Sequence, residues 1–164
     1  MALLDEAGVD LLVDVRTVPR SRMNPQFNAD VFPETLAAAG IGYGHFAALG
    51  GLRHRLKGAP PSPNGLWRNE SFQAYADYAM TPPFRVALDE LRGLARRRVC
   101  AIMCAEAVWW RCHRRIIADY LLAAGETVAH IMAAGKIEPA AMTPAAEPQP
   151  DGTIVYPPAQ AVLI

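Results

Sequence analysis

The residues able to do chemistry in this sequence sit mostly at the ends of short apolar runs. Asp14 and Arg16 follow Leu11-Leu12-Val13, Tyr43 and His45 close a second run, and Cys104 and Glu106 leave a third. His113 and Arg114 come a few residues later, and His130 lies in a fourth run. A half-buried Glu106 facing His113 would be a general acid–base pair, because burial raises a carboxyl pKa toward neutrality. Arginine forks suit phosphate and carboxylate, so Arg16 and Arg114 read as an anion clamp. Arg22 and the run Arg53–Lys57 extend that basic surface, and Arg68 adjoins Trp67, a side chain suited to stacking on a planar base. The leading expectation is a protein that binds, and in one version processes, a phosphate-bearing, nucleotide-like anion.

Three other chemistries are compatible with parts of the pattern. A thiol at Cys104, between a strand and a helix, is acidified by the helix dipole. With Arg111 it forms Cys-x6-Arg, which resembles the phosphate loop of cysteine phosphatases and rhodanese-like proteins but is one residue longer. Glu106 opposes thiolate formation there, and the loop lacks glycines to expose backbone amides. Zinc ligation by Cys100, Cys104, Cys112 and His113 is disfavoured: no Cys-x-x-Cys pair exists, and neighbours on a helix lie about 100° apart. The expectation is no metal and no cofactor. A nucleic-acid-binding module without catalysis is the third alternative, with Pro19–Arg22 and Arg53–Lys57 on phosphates.

Charge balance limits that last idea. Lys plus Arg and Asp plus Glu number 16 each in 164 residues, so nucleic acid or membrane would be held by a local patch and not by a global field. Apolar residues at 52% and charged residues at 20% describe a folded, not a disordered, chain. Three clustered cysteines are too few for a disulfide framework and fit a reducing, cytoplasmic setting. The N-terminus has no signal-peptide pattern, and no apolar run approaches the roughly 20 residues that span a bilayer.

The elements that must position these groups alternate. Leu11–Arg16, Ile41–Phe46, Val99–Cys104 and Thr127–Met132 read as strands, with Thr153–Tyr156 as an added edge strand. Ala29–Ala39, Ser71–Met80, Phe84–Arg98 and Ala107–Ala124 read as helices. On the last, His113 falls within the stripe Trp109, Ile116, Ile117, Tyr120 and Ala124, while Arg111 and Arg115 point to solvent. The long loop from Leu49 to Arg68 is of the kind that is functional or mobile. The expected fold is α/β in three layers, a mostly parallel sheet of four to five strands with helices on both faces. Residues 1–137 would form one domain, and 138–164, with six of the fourteen prolines, a C-terminal extension. In such sheets ligands lie beyond the carboxyl ends of the strands.

An ordered set of motifs carries a resemblance. Asp14-Val15-Arg16, Pro19-x-Ser21, Tyr43-x-His45, Leu49-Gly50-Gly51, Phe72-x-x-Tyr75-Ala76, Cys104-Ala105-Glu106, Cys112-His113-Arg114 and Ile117-Ala118 together resemble the domain of unknown function 488 family. The resemblance runs from about residue 11 to residue 132. It implies an α/β fold and points to Arg16, Ser21, Tyr43, His45, Cys104, Glu106, Cys112, His113 and Arg114, but brings no reaction. Members of that family usually carry an earlier strand ending in Gly-His-Ser; without it, one sheet edge is expected to be exposed.

Overall fold

The computed structural model describes residues 1–55 and 57–159. Strand β1 (Leu11–Asp14) lies between β2 (Gly42–His45) and β3 (Cys100–Met103), and both pairings are parallel. Asp14 stands opposite His45 on one side and Met103 on the other, so the carboxyl ends of all three strands share one edge. Successive side chains of a strand point to opposite faces. Leu11, Val13 and Val15 accordingly enter a large core with residues of α3 (Glu70–Ala79), α4 (Pro82–Ala95) and α5 (Arg114–Ala123). Leu12 enters a smaller core with Phe32 and Leu36 of α2 (Phe32–Ala37), against which Leu4 of α1 (Ala2–Glu6) packs. Burial on both faces explains why β1 is continuously apolar until Asp14.

Helix boundaries follow local chemistry. The Asn69 side chain accepts from the backbone N–H groups of Ser71 and Phe72 at 2.9 and 3.2 Å, capping α3. Pro82 and Pro83 form the first turn of α4, where a missing N–H costs nothing. Behind them Phe84, Ala87, Leu88 and Leu91 are buried at helical spacing.

Two expectations about the elements are corrected. Among the described residues the parallel sheet has three strands, not four or five. The fourth run instead forms β4 (Ala129–Ala133), which pairs antiparallel with β5 (Lys136–Pro139). The cause is the intervening Ala134-Gly135: Gly135 adopts φ 68°, a conformation glycine reaches freely, and folds the chain straight back. Likewise β7 (Ile154–Val155) pairs antiparallel with β6 (Glu147–Pro148). The last long helix also starts later than expected. Trp109–Arg111 is a 3-10 turn, Cys112 is extended at φ −132° and ψ 152°, and α5 begins only at Arg114.

The C-terminal segment contributes to the main core. Ile154 and Tyr156 are fully buried there. Asp119, buried on α5, accepts from the Thr143 N–H at 2.8 Å and the Tyr156 hydroxyl at 3.0 Å. Asn64 accepts from the Tyr156 N–H at 2.9 Å. Arg115, expected in solvent, lies over the Trp67 ring at 5.0 Å and donates to Thr143 Oγ1. Its guanidinium ties the same segment down.

Candidate functional site

The carboxyl edge of the sheet carries two polar corners. At the first, Arg16 Nε donates to Asp14 Oδ1 at 2.8 Å and its Nη2 to Asp14 Oδ2 at 2.5 Å. Nη2 also donates to the Phe27 carbonyl at 2.6 Å, and the Tyr43 hydroxyl donates to Asp14 Oδ2 at 2.8 Å. His45 Nε2 lies 2.8 Å from the Arg16 carbonyl. Asp14 is fully buried and Arg16 nearly so, which is sustainable because the two charges meet through three side-chain hydrogen bonds. The hydrogen bond to Asp14 raises the Arg16 pKa, and burial followed by the Asp14 carboxylate pushes Tyr43 up to about 12. This is a closed internal network.

The second corner joins the end of β3 to the start of α5. Cys104 Sγ lies 2.7 Å from Cys112 Sγ, and Cys112 Sγ lies 3.4 Å from His113 Nδ1. His113 Nε2 faces the Val15 carbonyl at 3.3 Å, and its ring packs edge-on against Tyr75. Backbone N–H groups point at both sulfurs, Glu106 at Cys104 (3.2 Å) and Arg114 at Cys112 (3.5 Å). The contact with Cys104 and the neighbouring His113 hold the Cys112 thiol down, and that same contact with burial pushes Cys104 up.

The Leu49-Gly50-Gly51 motif has a spatial cause at both corners. A Cβ on Gly50 would stand 2.8 Å from the Thr17 Cα and N. One on Gly51 would strike His113 over Nδ1, at 2.8 and 2.9 Å from Cγ and Cε1. Distances this short to both carbons flanking Nδ1 put that Cβ above the ring face and not along the in-plane lone pair of Nδ1. Tyr75 donates to the Leu49 carbonyl at 2.7 Å and Tyr78 to that of Ala48 at 2.7 Å. Arg53 bonds the carbonyls of Ala47, Ala48 and Gly50.

Beside the free edge of β3 runs a cavity of about 590 Å³, bounded across the gap by β4. Arg114, Trp109 and His130 stand in its wall. Trp109 and His130 stack with centroids 3.9 Å apart and planes at 6°. Arg114 Nη2 donates to the Glu106 carbonyl at 2.6 Å, but Arg114 Nε and His130 Nε2 are buried with no partner among the described residues. Burial first, and the Arg114 charge second, lower the His130 pKa.

Several expected roles are not assembled. Both nitrogens of His113 face Cys112 and Val15, while Glu106 is exposed, so the Glu106–His113 acid–base pair does not form. The cause is the late start of α5, which turns His113 toward β1. For the same reason the helical-spacing argument against a metal lapses: Cys112 and His113 precede the helix and do meet. Arg16 is bound to Asp14 and not open as a clamp. Trp67 packs on Phe72 and Tyr156 with Arg115 over its ring, which leaves no free face for a base. In the run Arg53–Lys57, Arg53 is bound to backbone and Leu56 lies outside the described residues. Ser21 accepts from the Asn24 N–H and is part of a local turn, while Arg22 and Arg68 are exposed away from these contacts. His130 and Trp109 were in view as a strand-end histidine and a stripe residue, but nothing in their spacing shows that they stack.

No curated protein and no solved structure matches this chain. The family model described as "Domain of unknown function DUF488" matches residues 1–121, taking in both corners. The chain belongs to the DUF488 family.

Proposed function

We propose that this protein binds a small anionic ligand in the cavity beside β3, with Arg114 and His130 as the recognising groups and Trp109 as an apolar wall. One observation carries the reading: two buried polar nitrogens without partners, on facing elements, stand in the wall of one cavity. A buried donor left unpaired costs about 1–3 kcal/mol, which a ligand oxygen would relieve. Arg114 also brings a charge that no carboxylate neutralises in the described contacts. Neither nitrogen is reached by solvent as the side chains stand, so entry requires His130 to turn on Trp109. A phosphoryl group matches an arginine beside a neutral imidazole, and the space admits a nucleotide-sized molecule. Turnover is not part of the proposal, because the acid–base pair is not formed.

The test is thermal denaturation with inorganic phosphate, pyrophosphate and mononucleotides, on the wild type beside Arg114→Gln and His130→Gln. At 100 times its dissociation constant a ligand adds about 2.7 kcal/mol, which is several degrees at this size. A shift lost in Arg114→Gln and kept in Arg22→Gln and Arg68→Gln supports the cavity. A shift seen only with oligonucleotides and abolished by salt would replace it with a nucleic-acid surface.

A further inference from the structure

The thiol and imidazole groups at the second corner have no role in the anion reading. Cys104 Sγ, Cys112 Sγ and a ring nitrogen of His113 all lie within 4.8 Å of one another, and Nδ1 is the nitrogen that faces Cys112. We propose that these three atoms hold a divalent transition-metal ion, zinc being the one their chemistry matches, with a fourth position left to an exogenous ligand.

The donor set comes first. Two soft sulfurs and an imidazole select zinc over magnesium or calcium, and three protein ligands with one open position is the pattern of a reactive zinc site. Orientation comes second. A ligating histidine usually gives its other ring nitrogen to a backbone carbonyl, which fixes tautomer and angle. His113 does this through Nε2 and the Val15 carbonyl, leaving Nδ1 toward the sulfurs. Gly51 covers the ring face without blocking that lone pair. Third, the N–H groups of Glu106 and Arg114 aim at the sulfurs, as suits charged thiolates.

Geometry also says what must move. Sulfurs about 2.3 Å from a tetrahedral ion lie roughly 3.7 Å apart, whereas these are 2.7 Å apart. Cys112 is 2% exposed and fixed at the foot of α5, while Cys104 is only partly buried at the end of its strand. The adjustment therefore falls on Cys104, and both sulfurs bind as thiolates, the protons they carried being released to solvent.

Cobalt(II) tests this on the full chain, reduced and stripped with a chelator. The expected result is a near-ultraviolet thiolate charge-transfer band with strong visible bands, saturating at one ion per chain and bleached by one equivalent of zinc. Cys100→Ser and His130→Gln should keep the bands; the second separates this site from the anion cavity. Cys104→Ser should lose the charge-transfer intensity contributed by its thiolate and weaken binding at least tenfold. His113→Gln should weaken it as strongly. Because replacing buried Cys112 risks the fold, the partly exposed Cys104 carries the decision. The proposal is overturned if cobalt gives no charge-transfer band, or if the band is unchanged in Cys104→Ser. It is equally overturned if zinc fails to slow alkylation of Cys104 relative to Cys100.

Discussion

Arg16 and Arg114 both lie near the carboxyl edge of one sheet, and they are opposites. Arg16 meets a buried carboxylate through two of its nitrogens and a carbonyl besides. Arg114 meets one carbonyl and leaves Nε buried without an acceptor. From sequence the two read alike, as the paired forks of one anion clamp. The structure separates a charge that the fold needs from one that the fold leaves available. A polar group whose hydrogen bonds are complete inside the molecule holds the frame; one kept incomplete is where a ligand has something to add.

The largest test of that contrast is Asp14→Asn. It keeps the shape of the side chain but leaves the Arg16 charge buried without its counter-ion. Removing one partner of a buried pair costs about 3–5 kcal/mol, or on the order of 10 °C in Tm for a chain of this length. Thermal and urea denaturation measure it. A loss below about 1 kcal/mol would mean that Arg16 is as free as Arg114, and the contrast would fail.

Gly50→Ala comes next and probes the frame without touching a charge. Gly50 has an ordinary φ of −66°, so any residue suits its backbone. What requires glycine is space, since the added Cβ meets the Thr17 backbone, which cannot rotate away. Overpacking of this kind costs about 1–3 kcal/mol. Recovery by Thr17→Gly would not be expected, because the clash includes Thr17 N and Cα; a variant as stable as wild type would show that the loop from Ala47 to Arg53 is looser than its hydrogen bonds imply.

Much of the frame was legible and much of the site was not, for definite reasons. Leu11–Val13 announces a central strand because burial on both faces demands unbroken apolar residues, and Asp14, Tyr43, His45 and Cys104 then reach one edge through parallel register. The pairing of β4 with β5 turned on one glycine at φ 68°, which a strand reading of Thr127–Met132 passed over. The break at Cys112, extended at φ −132°, has no breaker residue to announce it. The incomplete hydrogen bonding of Arg114 and His130 is a property of individual atoms in a packed interior. No residue spacing encodes it.

Arg114→Gln should therefore cost little, within about 1 kcal/mol, since it removes an unpaired buried donor along with one carbonyl contact. Chemical denaturation beside Asp14→Asn makes the comparison direct. Equal losses in the two variants would make Arg114 another strut and would remove the basis for an anion site.

The smallest expected effect concerns His130 and separates the two regions by pH. Burial and the Arg114 charge lower its pKa in the folded chain below the ordinary value of 6.5, against a smaller opposing pull from Glu138. Above pH 6.5 neither folded nor unfolded chain binds this proton, and its contribution is fully present. As pH falls below 6.5 the unfolded chain takes up a proton that the folded chain refuses, so stability is lost until the folded pKa is passed. Unfolding free energies at pH 7 and pH 5 should thus differ less in His130→Asn than in wild type, and Arg114→Gln should flatten the slope in part. Bound phosphate would act the other way, because an anion beside His130 favours the imidazolium and raises its pKa. An NMR titration of the His130 ring with and without phosphate reads this at the residue itself. An upward move of the His130 pKa on adding phosphate ties the free nitrogen to ligand, whereas an unchanged titration would leave Arg114 and His130 as unpaired as they stand and the cavity without its proposed occupant.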